Sequence, residues 1–366
     1  MPKQLRICHL TSVHLDGDIR IFHKMAKTMA QDFELHLVVP NTTTRQQDGV
    51  HIHSFIAETQ IRSKRMKHTV NEVLKVGLAI QADIYQLHDP ELLRIAPQLQ
   101  RAGAKVIFDS HEDVPKQIMD KFWIPWVFRK LISLVYARYE KSRVRQLDGI
   151  ISVTPGICAR FSKMNQKVAL VRNFPLQAEF PNPNWNQKNS QHFCYIGGLY
   201  ESRGIREVVM AMKDLDAVLH LAGTFDDPLL QAELESTKAW QKVRFYGQVG
   251  RETIQEILQQ SSVGIVTLHP TPSYKEAYPI KMFEYLAAGC AVLASDFPLY
   301  RNLLEDNTCG VFVDPQNEAE IAHALQDFSA QSEATLKMGQ LARKLFEAKY
   351  NWEMEAQKLR EFYISL

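Results

Sequence analysis

The 366-residue sequence contains no run near the ~18–20 consecutive apolar residues that a membrane-spanning helix needs. Cysteine is scarce: Cys8, Cys158, Cys194, Cys290 and Cys309 are scattered through apolar runs, with no CxxC pair. That pattern argues against a zinc ribbon or a disulfide framework and suits reduced core thiols in the cytoplasm. No GxGxxG follows the first strand-like stretch, so the dinucleotide fingerprint of an NAD-dependent oxidoreductase is missing. Short-period repeats and low-complexity tracts are missing too. The opening MPKQLRICHL moves directly into a strand pattern without the layout of a signal peptide, and a cytoplasmic protein is expected.

What is present is globular. Apolar residues make up 45% and charged residues 23% of the chain. The length suits two domains of ~100–200 residues each. Net charge is +2, but the halves differ: residues 1–180 carry 26 Lys/Arg against 17 Asp/Glu, and the remainder 17 against 24. A basic first half is expected to meet something anionic, whether a lipid surface, a phosphate-bearing acceptor or nucleic acid.

Strand-like and helix-like periods alternate. LRICHLTSV is followed by the polar loop LDGD, by IRIFHKMAKTMAQ with helical spacing, and by the strand FELHLVVP. ADIYQLHDP, AKVIFDSHEDVP, LDGIISVTPGI and VALVRNFP repeat the strand-then-polar pattern. The Pro-, Asn- and Gln-rich stretch 175–191 reads as an interdomain linker. Beyond it the alternation restarts with HFCYIGGLY, AVLHLAGTF, KVRFYGQV, SVGIVTLHP, CAVLASD and CGVFVDP. The prediction is an α/β protein of two doubly wound, Rossmann-like parallel-sheet domains, residues 1–178 and 190–350, facing across a cleft. The aromatic-bearing helix 351–366 is expected to return to the first domain.

One stretch concentrates chemistry: EAYPIKMFEYLAAGCAVLASD, Glu276 to Asp296. Pro279 fits the first turn of a helix that runs to a C-capping Gly289. A helix N-terminus presents free amides to an anion, and Lys281 adds a full charge there. Glu284 lies three residues on, on the same face. Lys281 and the amides would hold a diphosphate, and Glu276 and Glu284 would accept hydrogen bonds from sugar and ribose hydroxyls. The spacing alone equally allows an acid-rich cap with a solvent-facing Lys–Glu pair. IGGLYESRG is a strand entering a glycine turn, where Gly197 and Gly198 let backbone approach a phosphate and Arg203 can clamp an oxygen.

The Glu276-x7-Glu284 spacing followed by YLAAGCAVLASD resembles the signature of retaining glycosyltransferases of the GT-B fold, family 4. IGGLYESRGI, VRFYGQV and the loop after SVGIVTLHP extend that resemblance. LTSVHLDGDIRIFHK and HEDVPKQI resemble bacterial surface-polysaccharide members. The resemblance implies transfer of a hexose or N-acetylhexosamine from a nucleotide-diphosphate sugar, a UDP-sugar first and GDP-mannose next. It implies retention, no cofactor and no metal. Glu284 is implied on the ribose and Glu276 on the donor sugar. Lys281 and Arg203 are implied on the diphosphate, with Gly198, Gly247, Tyr278, Pro279 and Ile280 around the donor. The chain departs from the family where Leu199 replaces the usual arginine after the strand glycines. The first glycine-rich loop is also reduced to Asp16-Gly17-Asp18. The acceptor is implied nearby, with Asp18 alternatively capping the next helix. His111 is implied on the donor sugar. His88 and Asp89 either shape the acceptor pocket or cap the following helix. His51 and His53 share a strand face, but no third ligand is evident, and they read as surface.

The segment Lys116–Gln146 mixes aromatics, Phe122, Trp123, Trp126 and Phe128 among them, with an excess of basic residues, and RSKRMKH (Arg62–His68) adds more. It suits either an anionic membrane interface or a core helix with a solvated basic face. No nucleic-acid motif accompanies it. A saccharide acceptor, lipid-linked at the inner membrane face in O-antigen, capsule or exopolysaccharide synthesis, is therefore expected. The rivals are a GT-B sugar-nucleotide 2-epimerase and an inactive glycosyltransferase-like partner subunit.

Overall fold

The computed structural model describes residues 4–57, 68–119, 121 and 124–366. The RSKRMK run and the aromatic pair Phe122 and Trp123 lie outside the described residues. The chain divides into two compact units, Met1–Asn173 with Trp352–Leu366, and Phe174–Asn351.

The first unit is built on eight strands: Arg6–Leu10 (β1), Glu34–Pro40 (β2), Arg45–Gln47 (β3), Val50–Phe55 (β4), Ile84–Leu87 (β5), Lys105–Ser110 (β6), Gly149–Ser152 (β7) and Val168–Leu170 (β8). Their order is β3-β4-β2-β1-β5-β6-β7-β8. Among the described residues only the β3–β4 edge pair is antiparallel. The apolar runs form central strands because both faces are covered: Ile7, Cys8 and Leu10 on β1, and every residue of β5, are buried. Six polar residues are buried on these strands as well, His9, His36, Gln86, Asp109, Ser110 and Ser152. Strand order reverses between β1 and β5, and there the polar ends Thr11, His88 and His111 leave the sheet.

The second unit carries six parallel strands: Asn189–Ile196 (β9), Val218–Ala222 (β10), Val243–Gly247 (β11), Ser261–Val266 (β12), Ala291–Ser295 (β13) and Gly310–Val313 (β14). Their order is β11-β10-β9-β12-β13-β14, with the reversal between β9 and β12. Gly197 and Gly198 leave β9 at that point. The helix Ile280–Ala287 lies close on β12 because Gly264 has no Cβ: one would stand 2.2 Å from the Tyr285 ring. Tyr285 then receives the Ile196 amide on its hydroxyl, 2.9 Å away. The helix is thus fastened to the strand that ends in the glycine turn.

Residues 174–188 run over the second unit. Phe174 is buried against Phe283 and Tyr350, Phe180 against Phe346, and Trp185 lies beside Gly289. Arg343 donates to the carbonyls of Phe180 and Ala287. Three seated aromatics outweigh the turn-forming prolines and asparagines between them. The terminal helix Trp352–Ser365 belongs to the first unit, where the Trp352 indole donates to Thr28 at 3.0 Å and Tyr363 is buried. No described helix is long and apolar enough to cross a membrane.

Candidate functional site

In the second unit, Lys281 stands in the first turn of Ile280–Ala287 and does not point to solvent. Its ammonium is sealed in, has no hydrogen-bond partner among the described residues, and lies 3.5 Å from the centroid of the Tyr195 ring. Burial, and then the nearby Arg203 guanidinium, push its pKa well below the usual lysine range, and Glu284 pulls back too weakly to compensate. An unpaired buried cation is costly and rare in a finished core.

Gly197 has φ +124°, a conformation open to glycine, and a Cβ there would stand 3.7 Å from Lys281 Nζ and 3.8 Å from Arg203 Nη1. Its missing side chain leaves room between two cations. Arg203 ends the short turn Glu201–Arg203 and stacks 4.6 Å from the Tyr200 ring centroid. Among the described residues no carboxylate forms an ion pair with it. Gly204 beside it has φ +72°, and a Cβ would come within 2.1 Å of the Thr267 carbonyl, so the turn is clamped onto the end of β12.

The remaining donor-side candidates are placed as follows. Glu284 accepts from Arg251 Nη1 at 2.8 Å, and Arg251 also pairs with Glu179. One Glu284 oxygen is therefore held, and among the described residues no protein donor reaches the other. Pro279 is the N-cap, one position before the expected first turn, and Gly289 follows the last helical turn with φ +68°. Ile280 is exposed, and Glu276 is exposed in the loop. Tyr278 is turned onto Phe283, stacked at 6.3 Å, which makes it part of the aromatic packing. Gly247 ends β11 with φ +64° and accepts the Gly223 amide at 2.8 Å. The structure thus gathers Lys281, Arg203, Gly197 and Gly198 into one cluster, with Glu284 on the next turn of the same helix as Lys281.

In the first unit, Asp109 organises a chain of buried polar groups. Arg20 grips it from two directions, Nη2–Oδ1 2.8 Å and Nε–Oδ2 3.2 Å. His111 Nε2 lies 2.9 Å from Oδ2, and His88 Nδ1 lies 3.2 Å from the same oxygen, off line for a hydrogen bond. Burial alone would raise the Asp109 pKa, but Arg20, His111 and His88 together hold it well below the usual carboxylate range. Behind it, His88 Nε2 meets His9 Nδ1 at 3.0 Å, and His9 Nε2 meets the Tyr363 hydroxyl at 3.1 Å. Burial first pushes His9 and His88 below the ordinary histidine value.

In front of Asp109, His14, Asp89, Ser110, His111 and Glu112 line a cavity of about 210 Å³. His14 is raised by its hydrogen bond to Asp18, 3.0 Å away. Asp18 caps the helix that opens at Ile19, accepting from the Ile21 amide at 2.8 Å. Asp16 is engaged by Arg45 and Thr42, and Gly17 faces open space. Asp89 caps nothing with its side chain; it accepts from Thr11 Oγ1 at 2.8 Å and from the Ser12 amide at 2.6 Å. So His111, His14, Asp89 and the buried His88 all line the cavity. A wall of imidazoles and carboxylates suits a ligand rich in hydroxyls.

His88, Asp109 and His111 each bring one ligand atom within 4.8 Å of the others. Asp109 already neutralises Arg20, however, and a cation there would face a guanidinium. His36 Nδ1 lies 2.9 Å from His53 Nε2, with its ring stacked on His51, but among the described residues these three do not form a metal-ligand cluster.

Residues 177–345 match the family of glycosyl transferases group 1. This stretch is a group 1 glycosyltransferase domain. It contains the whole Lys281–Arg203 site and the Glu276–Glu284 pair. The chain is also similar to an uncharacterized glycosyltransferase of Methanocaldococcus jannaschii, 23% identical over 58% of this chain and 57% of that one. The chain thus spans little more than half the length of that curated relative. Among solved structures, sucrose-phosphate synthase from Thermosynechococcus elongatus superposes with a TM-score of 0.74, at 16% identity over 99% of both chains. Anabaena HepE, solved in complex with UDP-glucose, superposes at 0.72, with 13% identity over 99% of this chain and 100% of that one. These likenesses establish the GT-B fold: two parallel sheets, of eight and six strands.

Sequence reasoning missed Arg251 and Glu179 beside Glu284, and Arg20, Asp109, His9, His14 and Tyr363 around His111. Asp109 had a signal: it is a carboxylate inside the apolar strand KVIFDS, where an unpaired charge is not tolerated. Arg251 had none, because it lies 33 residues from Glu284 and looks like an ordinary helix-start residue.

Proposed function

We propose that the protein is a retaining glycosyltransferase that moves a hexose or N-acetylhexosamine from a UDP-sugar to a saccharide acceptor. GDP-mannose is the next donor to consider. The observation that carries this reading is the buried, unpartnered Lys281 ammonium beside Arg203 and the Gly197–Gly198 turn. A nucleotide diphosphate supplies the missing anion. Its β-phosphate gains charge as the sugar leaves, and fixed cations that need not reorganise favour that transition state. Lys281 and Arg203 neutralise it without a metal. Glu284, held by Arg251 on one oxygen, offers the other to ribose hydroxyls. The uridine preference is supported by HepE, which binds UDP-glucose. Glu276 and His111 are assigned to the donor sugar. The cavity beside His111, with Asp16, Gly17, Asp18 and His88 around or behind it, is assigned to the acceptor side. The acceptor is a saccharide on a lipid carrier in bacterial surface-polysaccharide synthesis, a reading supported by the sequence resemblance and the basic first half.

Attack by the acceptor hydroxyl on the face the leaving group departs from, with the departing phosphate taking the hydroxyl proton, accounts for retention without a carboxylate nucleophile. The test is a panel of UDP-, GDP-, ADP- and dTDP-sugars, labelled in the sugar, followed by product analysis. Transfer or slow hydrolysis with one nucleotide, lost in Lys281→Ala, is expected. Epimerised nucleotide sugar, or binding with no turnover under any acceptor, would overturn the assignment.

A further inference from the structure

The helix Trp126–Val144 is clamped on one side and bare on the other. Its inner face is fixed to the preceding turn: Arg129 donates to the Met119 carbonyl at 2.8 Å and Ser133 to the Pro115 carbonyl at 2.9 Å. Farther along, Glu140 and Val144 are fully buried, and Arg160 pairs with Glu140. The outer face presents Trp126, Val127, Phe128, Leu131, Leu134 and Val135, each between 55% and 67% exposed. Isolated exposed apolar residues are ordinary, but six within ten positions of one helix form a patch that water does not favour.

The exposed charges of this helix have one sign. The helix has a single acid, Glu140, and that acid is buried. Lys130, Arg138, Lys141 and Arg145 are all exposed, and the Lys130 ammonium lies 3.9 Å from the centroid of the Trp126 ring. Apolar residues over the first turns, followed by a stretch whose exposed charges are all cationic, match the cross-section of an anionic bilayer surface. Acyl chains take the apolar residues, phosphates take the cations, and tryptophan suits the boundary. A rigid inner clamp means that little ordering entropy is lost on docking.

We infer that the outer face of Trp126–Val144 docks the first unit onto an anionic lipid surface. This stands on the helix and not on the donor, so it survives or fails independently of the proposed reaction. The test is co-sedimentation of the full chain with phosphatidylcholine vesicles, with and without phosphatidylglycerol. Two variants accompany it: Leu131→Asp with Val135→Asp, and Lys130→Glu with Arg138→Glu and Lys141→Glu. All positions are exposed, and thermal melts check that both variants fold. The wild type is expected to sediment with the anionic vesicles. Each aspartate should weaken binding by roughly tenfold or more, and each lost cation by roughly fivefold. Salt near 1 M, where the screening length falls to ~3 Å, should release much of the bound protein. Failure to bind anionic vesicles, equal binding to neutral ones, or binding that survives both variants would overturn the inference. So would a dimer dissolved by the aspartate pair in a protein that ignores vesicles, since the occupant would then be a second copy.

Discussion

Replacing Lys281 by methionine should make the protein more stable and unable to hold its donor. The ammonium is buried with no hydrogen-bond partner among the described residues. Taking an unpaired ion out of water costs several kcal/mol even after relaxation. The Tyr195 face, 3.5 Å away, returns part of it, about 2 kcal/mol for a desolvated cation–π contact. Methionine keeps the length and the contact with the ring and removes the charge. The expected gain is roughly 1–3 kcal/mol, seen as a melting temperature several degrees higher. A nucleotide sugar at about a hundred times its Kd adds ~2.7 kcal/mol to the wild type, and the variant should show none of that gain. The assay is a thermal melt of both proteins with and without the donor. A Lys281→Met protein that melts below the wild type, or one that keeps the donor-induced rise, refutes the reasoning. The first result would mean that the ammonium is paired after all, the second that the diphosphate sits elsewhere.

Other expectations follow from the same geometry. Glu284→Gln should weaken nucleotide affinity by about 1–3 kcal/mol, and Arg251→Ala should do so less while raising KM more than it lowers kcat; titration and steady-state kinetics check both. Asp109→Asn removes the counter-charge of buried Arg20 and should cost about 3–5 kcal/mol in chemical denaturation, whereas His111→Ala should spare stability and lower turnover. His9 and His88 are held below the ordinary value of 6.5. The unfolded chain therefore takes up protons there before the folded one does, and the stability these groups contribute is present above that value and lost as the pH falls below it. His36, His53, His192 and His220 are lowered as well, whereas His14, raised by Asp18, acts in the opposite sense. Urea midpoints should drop between pH 7.5 and pH 5.5, and less so in His9→Gln; an unchanged midpoint would mean that the histidines are charged in the fold.

What the sequence disclosed depended on how local each feature is. Lys281, Glu284 and the helix N-terminus fall within six residues, and Gly197, Gly198 and Arg203 within seven, so spacing and residue type picked out residues that the fold brings together. The β/α alternation gave the parallel sheets because apolar residues dominate the central strands, such as ELHLVVP, SSVGIV and AVLAS. Partners joined across the chain left no such trace. His9 and Tyr363 are 354 positions apart, and nothing in ICHLT or EFYISL announces their contact. Tyr278 looked like a residue at the donor, yet its ring found the aromatic packing around Phe283. The stretch 175–191 has the composition of a linker, but composition does not weight Phe180 and Trp185 by the area they bury. Glu284 read as a free carboxylate because Arg251 reaches it from another helix.

Whether Lys281 holds the diphosphate of a sugar nucleotide is tested most directly by calorimetric titration of UDP-glucose into the wild type and into Lys281→Met. Binding to the wild type that is lost or strongly weakened in Lys281→Met is the predicted result. Equally tight binding to both proteins would contradict it.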